Sequence, residues 1–193
     1  MFKIEIFSQK HFSKVNKEFL NELKQIKPDS LLFSFSRQLI LKYFKYLLKK
    51  DGIIIFITKN KKIYGCLIFE KSTEDTLNFL KENSILVLKN LLFSKYFIDK
   101  IILINIVINW IFFNKQVSSY KNNIIIIAVR KEMRGNQIGT KLILFLKKNI
   151  KQKIYVMAYA NNILAHKFYI KNNFKLAKNI KYGLRKLKVY YYK

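Results

Sequence analysis

One cysteine, one proline, two histidines and four arginines are the scarcities that shape the reading of this 193-residue chain. Cys66 stands alone, which excludes an internal disulfide framework and any cysteine-based metal site. His11 and His166 are far apart, and no His, Cys or carboxylate cluster has metal-ligand spacing, so no metal is expected. Glycine is scarce as well, at five residues, so any place where two fall together carries weight. Acidic residues number 11 against 38 basic ones, a net charge of +27 that would ordinarily point to nucleic acid or an anionic surface. Yet the charge is nearly all lysine, spread along a chain also crowded with Ile, Asn, Phe and Tyr. Compositional drift is therefore the weightier reading, and a nucleic-acid partner is not expected. The first residues, Met1-Phe2-Lys3-Ile4-Glu5-Ile6, lack the apolar core of a signal peptide, so a reducing cytoplasmic compartment is expected. No apolar run reaches the roughly 20 residues of a membrane span. The longest, residues 101–113, reads as a buried or interfacial helix, with Asn105 and Asn109 on one face.

What is present is hydrophobic material, 51% of the chain, enough for one core and one domain over residues 1–193. Residues 2–7 alternate as a strand does. Phe12, Val15, Phe19, Leu20, Leu23 and Ile26 trace one stripe of a helix over 11–26. Pro28 stops it and offers Asp29 or Ser30 as the next cap. A second helix is expected over 37–49, after the segment Phe33-Ser34-Phe35-Ser36. Two β-branched runs, 53–58 and 63–69, flank Lys59-Asn60-Lys61-Lys62 as a hairpin. Residues 71–120 lose the strand pattern and read as a helical, apolar insertion with a polar break at 72–75. A buried strand over 123–129 follows, then a helix at 137–150, a strand at 153–159, a helix at 162–172, and strands near 174–178 and 187–192. The order is α/β: β-α-α-β-β-(insertion)-β-α-β-α-β-β.

Two of the five glycines fall within Arg134 to Gly139, between the end of the buried strand and the next helix. Glycine lets backbone approach a ligand closely, and a helix start offers free N–H groups with positive dipole character. That combination makes a phosphate cradle to which Arg134 adds a charge-assisted contact. A plain strand-to-helix turn is the competing reading. Thr140-Lys141 after Gly139 excludes a P-loop, and the glycine spacing excludes a dinucleotide fingerprint. Further on, Asn161 or Asn162 can cap a helix whose inner face holds Ala165, Phe168 and Tyr169. An aromatic stripe at helical spacing is usually core, but a buried phenol such as Tyr169 can also donate a proton.

Arg134-Gly135-x-x-x-Gly139 after a buried strand resembles the acetyl-CoA loop of the GCN5-related N-acetyltransferases. Asn162-x-x-Ala165-x-x-Phe168-Tyr169-x-x-x-Asn173-Phe174 resembles the second signature of that family, at the expected separation. The resemblance is close over 122–176 and follows element order elsewhere. It implies a mixed, mostly antiparallel sheet flanked by helices, with the insertion between the third and fourth strands. It also implies transfer of acetyl from acetyl-CoA to an amine. The backbone of Arg134, Gly135, Asn136, Gln137, Ile138, Gly139 and Thr140 would hold the pyrophosphate, and that of Ile127, Ala128 and Val129 would pair with the pantetheine arm. Asn162 and Phe168 would contact the cofactor, and Tyr169 would protonate the departing thiolate. The Phe33–Ser36 entry, the hairpin with Gly65 and the insertion also resemble a bacterial subgroup associated with surface polysaccharides, which suggests an amino sugar as acceptor.

Three departures stand out. Gln137 replaces a common glycine; Asn173 replaces the glycine before Phe174, a mild change because asparagine tolerates a left-handed backbone. Asn123 stands where many relatives place a basic glutamate. Asparagine cannot take a proton, so that role passes to water or to an acid such as Glu70, which reads more simply as a strand-edge carboxylate. His166, beside Lys167, is expected to face solvent. The leading expectation is acetylation of a small, anionic amine. Protein or peptide acetylation, and a non-catalytic basic binding protein on the same fold, are the alternatives. Residues 85–113 could pack on the domain, on a second copy in a homodimer, or on a membrane surface.

Overall fold

A computed structural model describes residues 2–14, 17–27, 30–60, 62–92, 120–182 and 185–193. Seven strands form one sheet: β1 (Lys3–Ile6), β2 (Ile53–Lys59), β3 (Lys62–Ser72), β4 (Lys121–Val129), β5 (Ile154–Tyr159), β6 (Lys175–Tyr182) and β7 (Arg185–Tyr192). Their spatial order is β1-β2-β3-β4-β5-β7-β6. Every pairing is antiparallel except β4 with β5, which is parallel. The helices are α1 (Lys17–Ile26), α2 (Leu31–Ser34), α3 (Arg37–Lys49), α4 (Thr73–Glu82), α5 (Ser84–Leu92), α6 (Ile138–Asn149) and α7 (Ile163–Lys171).

Strand alternation divides the core between the two faces of the sheet. Ile54, Phe56, Cys66, Ile68 and Ile126 pack with Leu20, Leu23 and Ile26 of α1, with Leu39, Tyr43, Phe44 and Leu47 of α3, and with Phe79 of α4. The intervening Ile55, Ile57, Leu67, Phe69 and Ile124 pack with Ile138, Leu142, Ile143 and Leu146 of α6 and with Tyr169 of α7. The near-continuous apolar runs of β2, β3 and β4 are thus explained by burial on both sides.

The expected elements are found with shifted ends. The helix expected over 11–26 is in part a tighter 3-10 turn, Gln9–Lys14, held where the Ser8 N–H donates to His11 Nδ1 at 3.0 Å. Val15 lies outside the described residues. The Phe/Ser segment folds into the short α2, and Ser36 caps α3 by accepting from the Leu39 N–H. Ser30 begins α2 without a side-chain cap bond. The polar break at 72–75 is a helix start: Ser72 caps α4, with Glu74 and Asp75 in its positive first turn. The insertion is helical over α4 and α5; its apolar stretch at 101–113 lies outside the described residues. Among the described residues no helix is long and apolar enough to cross a membrane.

A buried ionic brace fixes the end of β4. Arg130 donates from Nε to the Ile63 carbonyl at 2.6 Å and from its guanidinium to Glu22 of α1 at 2.5 Å. Glu22 also accepts from the Ile63 N–H at 3.0 Å. One side chain therefore ties α1, the β2–β3 hairpin and the exit from β4 together. Lys147 does the same for α6 and α7, donating to the Asn172 carbonyl at 2.6 Å while its ammonium lies 3.5 Å from the centre of the Tyr192 ring.

Candidate active site

β4 and β5 are paired only at Asn123–Tyr155 and Ile124–Val156; beyond those positions they separate. On its other side β4 stays in register with β3 out to Gly65–Val129, after a bulge that skips Ile125. The edge of β4 from Ile127 to Val129 therefore faces β5 without a ladder partner. Exposed strand edges bind extended, amide-bearing chains. The three residues expected to meet a pantetheine arm are the ones so placed.

The chain then turns through Lys131–Met133 into the loop before α6. Gly135 is left-handed, at φ +87°, and Gln137 is left-handed too, at φ 57°, as the N-cap of α6. The loop bonds of this segment end at Arg134, Asn136 and Lys141, whose N–H groups donate to Lys131, Met133 and Gln137. The N–H groups of Gly135, Gln137, Ile138, Gly139 and Thr140 have no acceptor among the described residues. Five free donors at a helix start, next to a free strand edge, form a cradle for a phosphorylated chain. These donors match the chemistry of a coenzyme that carries a pyrophosphate. Gln137 in place of glycine is accommodated because its side chain is exposed at the N-cap. Arg134 is exposed and folds toward the Val129 carbonyl at 3.4 Å.

Gly139 has a packing task beside the one its motif suggests. It is buried, and a Cβ there would lie 3.0 Å from two ring atoms of Phe168. Its missing side chain lets α7 close on α6, and Phe168 fills that contact. Gly135 meets nothing within 4 Å, so its role is conformational. Asn162 caps α7 through Oδ1, which accepts from the Ala165 N–H at 3.1 Å. Its Nδ2 has no acceptor among the described residues and is free to meet a ligand. Tyr169 is buried among Phe168, Phe174 and Tyr190, with ring centres 5.5 to 5.8 Å apart. Burial, with a smaller push from Tyr190, raises its phenol well above the ordinary 10, so it holds its proton at neutral pH. Asn173 is left-handed, at φ 63°, as its substitution for glycine requires. His166 does not face solvent. It is buried, its Nε2–H donates to the Ala160 carbonyl at 3.0 Å, and its ring packs on Tyr190. The i, i+3 spacing to Tyr169 turns it inward.

Glu70 is likewise no exposed strand-edge group. It is 2% exposed, within a strand flanked by β2 and β4. Asn123, its partner in register, donates from Nδ2 to Glu70 Oε1 at 2.9 Å. Thr76 of α4 donates to Oε2 and is itself hydrogen-bonded to the Tyr43 hydroxyl of α3 at 2.7 Å. Burial raises the carboxyl from its ordinary 4.5 to about 7, against the lowering effect of hydrogen bonds from Asn123 and from the hydroxyl and backbone of Thr76. The sequence reading placed Glu70 at a strand end and did not show its partners, which come from positions 6 and 53 residues away.

Comparison with known proteins agrees with this geometry. No family model matches the sequence, and no curated protein matches it. Solved structures do match over the whole chain. One is an N-acetyltransferase from Staphylococcus aureus Mu50, 14% identical, TM-score 0.57, covering 100% of this chain and 98% of that one. Another is the ribosomal-protein-S18-alanine N-acetyltransferase from Escherichia coli, 12% identical, TM-score 0.54, covering 99% and 92%. A third, from Salmonella typhimurium, was solved with its cofactor acetyl-CoA; it is 8% identical, with TM-score 0.59, covering 100% and 93%. The chain has the fold of the GCN5-related N-acetyltransferases.

Proposed function

We propose that this chain is an acyltransferase that moves the acetyl group of acetyl-CoA to the primary amine of a small molecule. The observation that carries the reading is the joint presence of the free β4 edge and five unpaired N–H groups at the start of α6, in a fold shared with acetyl-CoA-dependent enzymes. The coenzyme supplies acetyl as a thioester, open to attack by a neutral amine with loss of a thiolate. Within residues 134–140 the N–H groups of Gly135, Gln137, Ile138, Gly139 and Thr140 bind the pyrophosphate, those of Arg134 and Asn136 being spent within the loop, and the arm aligns along Ile127 to Val129, which converts the encounter into a positioned one. Tyr169, protonated at neutral pH, gives its proton to the departing sulfur. Asn162 orients the coenzyme through Nδ2, and Phe168 supports the cradle from behind Gly139.

The positive surface suits an anionic acceptor, and an amino sugar is the first class to try. The lone Cys66, buried and with its thiol pushed up to about 12, needs no oxidising compartment, in keeping with a cytoplasmic enzyme. Thiol release from acetyl-CoA, followed over a panel of amino sugars, their phosphates, amino acids and peptide N-termini, tests the reading. Turnover with one small-molecule class is expected; turnover confined to peptides would move the acceptor to proteins. Failure of every class, in a chain that does not bind acetyl-CoA, would refute the reading.

A further inference from the structure

Glu70, Asn123 and Tyr155 are opposed across β3, β4 and β5 and therefore share the face that carries α1 to α4. They stand at the closed end of the slot, where β4 and β5 part. Three features of this row are unusual for a merely structural cluster. A buried carboxylate is ordinarily paired with a cation, yet in a chain with 38 lysines and arginines no cation pairs with Glu70 among the described residues. Asn123 Oδ1 is buried and has no hydrogen-bond partner among the described residues, its Nδ2 being spent on Glu70. The Glu70 carboxylate receives hydrogen bonds from the Asn123 amide and from the hydroxyl and backbone N–H of Thr76, and of its four lone-pair positions one is left for a further donor. Lys153 Nζ lies over the outer ring of the row, 5.2 Å from the centre of Tyr155, but Glu70 and Asn123 have no cation among the described residues and offer acceptors for one.

We propose that this row is the amine site: Glu70 takes the proton that the incoming ammonium must lose, and Asn123 Oδ1 receives one of its remaining N–H groups. The inference rests on the acetyltransferase reading above. Of the three protons on the ammonium, one passes to Glu70 and leaves to solvent after turnover. A second is lost as the C–N bond forms and the C–S bond breaks; it returns through solvent to the Tyr169 oxygen, which has given its own proton to the sulfur. The third stays on the product amide. The base has thus moved one strand across from the position of Asn123, and the asparagine has become its hydrogen-bonding neighbour. Thr76 is a positioning residue, so α4, the first helix of the insertion, sets the protonation of the site.

The groups facing Glu70 among the described residues are Tyr43 from α3, Thr76 and Asp75 from α4, and Asn123 from β4, of which Asp75 is the one other charged group. With its carboxyl near 7, Glu70 can both accept and release a proton at neutral pH.

The test uses the full chain and propylammonium chloride as the probe. The side-chain 13C resonance of Glu70 is titrated with pH, with and without a large excess of the probe, and acetyl-CoA binding is measured in parallel by calorimetry. The expected result is a fall of the Glu70 pKa on adding propylammonium, abolished in Asn123→Ala and in the milder Asn123→Ser. Glu70→Gln keeps the bond from Asn123 and reverses the one with Thr76, whose hydroxyl oxygen then accepts from the amide, and it should bind acetyl-CoA as tightly as the native chain. With any acceptor found, it should turn over about a hundredfold more slowly or worse and lose the pH limb near 7. Thr76→Val should move that limb to higher pH, and Thr76→Ser should restore it. A Glu70 resonance unmoved by the probe while acetyl-CoA binds, or Glu70→Gln at native rate, would overturn the inference. Absence of acetyl-CoA binding would strike the acetyltransferase reading instead, and the carboxyl resonance would still decide whether this row binds an ammonium.

Discussion

Replacing Glu70 with glutamine should stabilise the protein, and do so in a pH-dependent way. The carboxyl titrates at an ordinary 4.5 when the chain is unfolded and at about 7 when folded, because burial disfavours its charge. As pH rises through that window the unfolded chain releases the proton first, so stability falls with pH from 4.5 and levels off above 7. At about 1.4 kcal/mol for each tenfold change, the full cost of ionising Glu70 in place is about 3 kcal/mol. For a chain of this length that corresponds to roughly 6–12 °C in melting temperature. Glutamine keeps the hydrogen bonds from Asn123 and toward Thr76 and carries no charge at any pH. The assay is urea unfolding of both proteins at a series of pH values from 4 to 9. The stability of the variant minus that of the native chain should be constant below 4.5, grow through the window and reach a plateau about 3 kcal/mol higher above 7. All other titrating groups cancel in that difference. A difference flat across the series would refute the account of Glu70 as a carboxyl forced to ionise in a buried site.

Three further perturbations probe the frame around the site. Gly139→Ala places a methyl group 3.0 Å from the Phe168 ring and should cost about 1–3 kcal/mol in urea unfolding, a loss partly recovered in combination with Phe168→Leu; a neutral Gly139→Ala would remove the packing argument. Arg130→Met leaves Glu22 without its buried partner and should cost about 3 kcal/mol, whereas adding Glu22→Gln should return part of it, the two costs failing to add in a double-mutant cycle. Tyr169→Phe should lower kcat while leaving acetyl-CoA affinity unchanged, since the hydroxyl is assigned to the departing thiolate and the ring to the core; equal losses in both would make Tyr169 a structural residue only.

Much of the architecture is legible in the sequence because periodicity and punctuation agree there. Helix α3 occupies 37–49 as its apolar spacing requires, and β4, α6, β5 and α7 begin within two residues of the expected positions. Asn162 caps α7 and Asn173 takes the left-handed backbone, both from local chemistry alone. The parts that were not legible are those decided by partners distant in the chain. Glu70 looks like a strand-end carboxylate until β3 pairs with β4 across the insertion and sets Asn123 beside it. His166 reads as a surface neighbour of Lys167, yet α7 turns it toward Ala160 and Tyr190. Gly139 reads as a place for a phosphate to approach, while the contact that requires it is an aromatic ring on the following helix. Motif spacing located the loop that carries the unpaired N–H groups; it did not show that Gly139 within it also holds two helices together.

The central claim is that the start of α6 holds the pyrophosphate of acetyl-CoA, and calorimetric titration of the native chain and of Gln137→Glu tests it most directly. Gln137 is exposed at the N-cap, so the change is nearly isosteric and favourable to the helix end, yet it sets a carboxylate among the five free N–H groups. Repulsion between unit charges about 4 Å apart near a protein surface amounts to between about 1 and 4 kcal/mol, so the account predicts micromolar binding by the native chain, weakened about tenfold or more in the variant. Equal binding by both proteins, or none by the folded native chain, would contradict it.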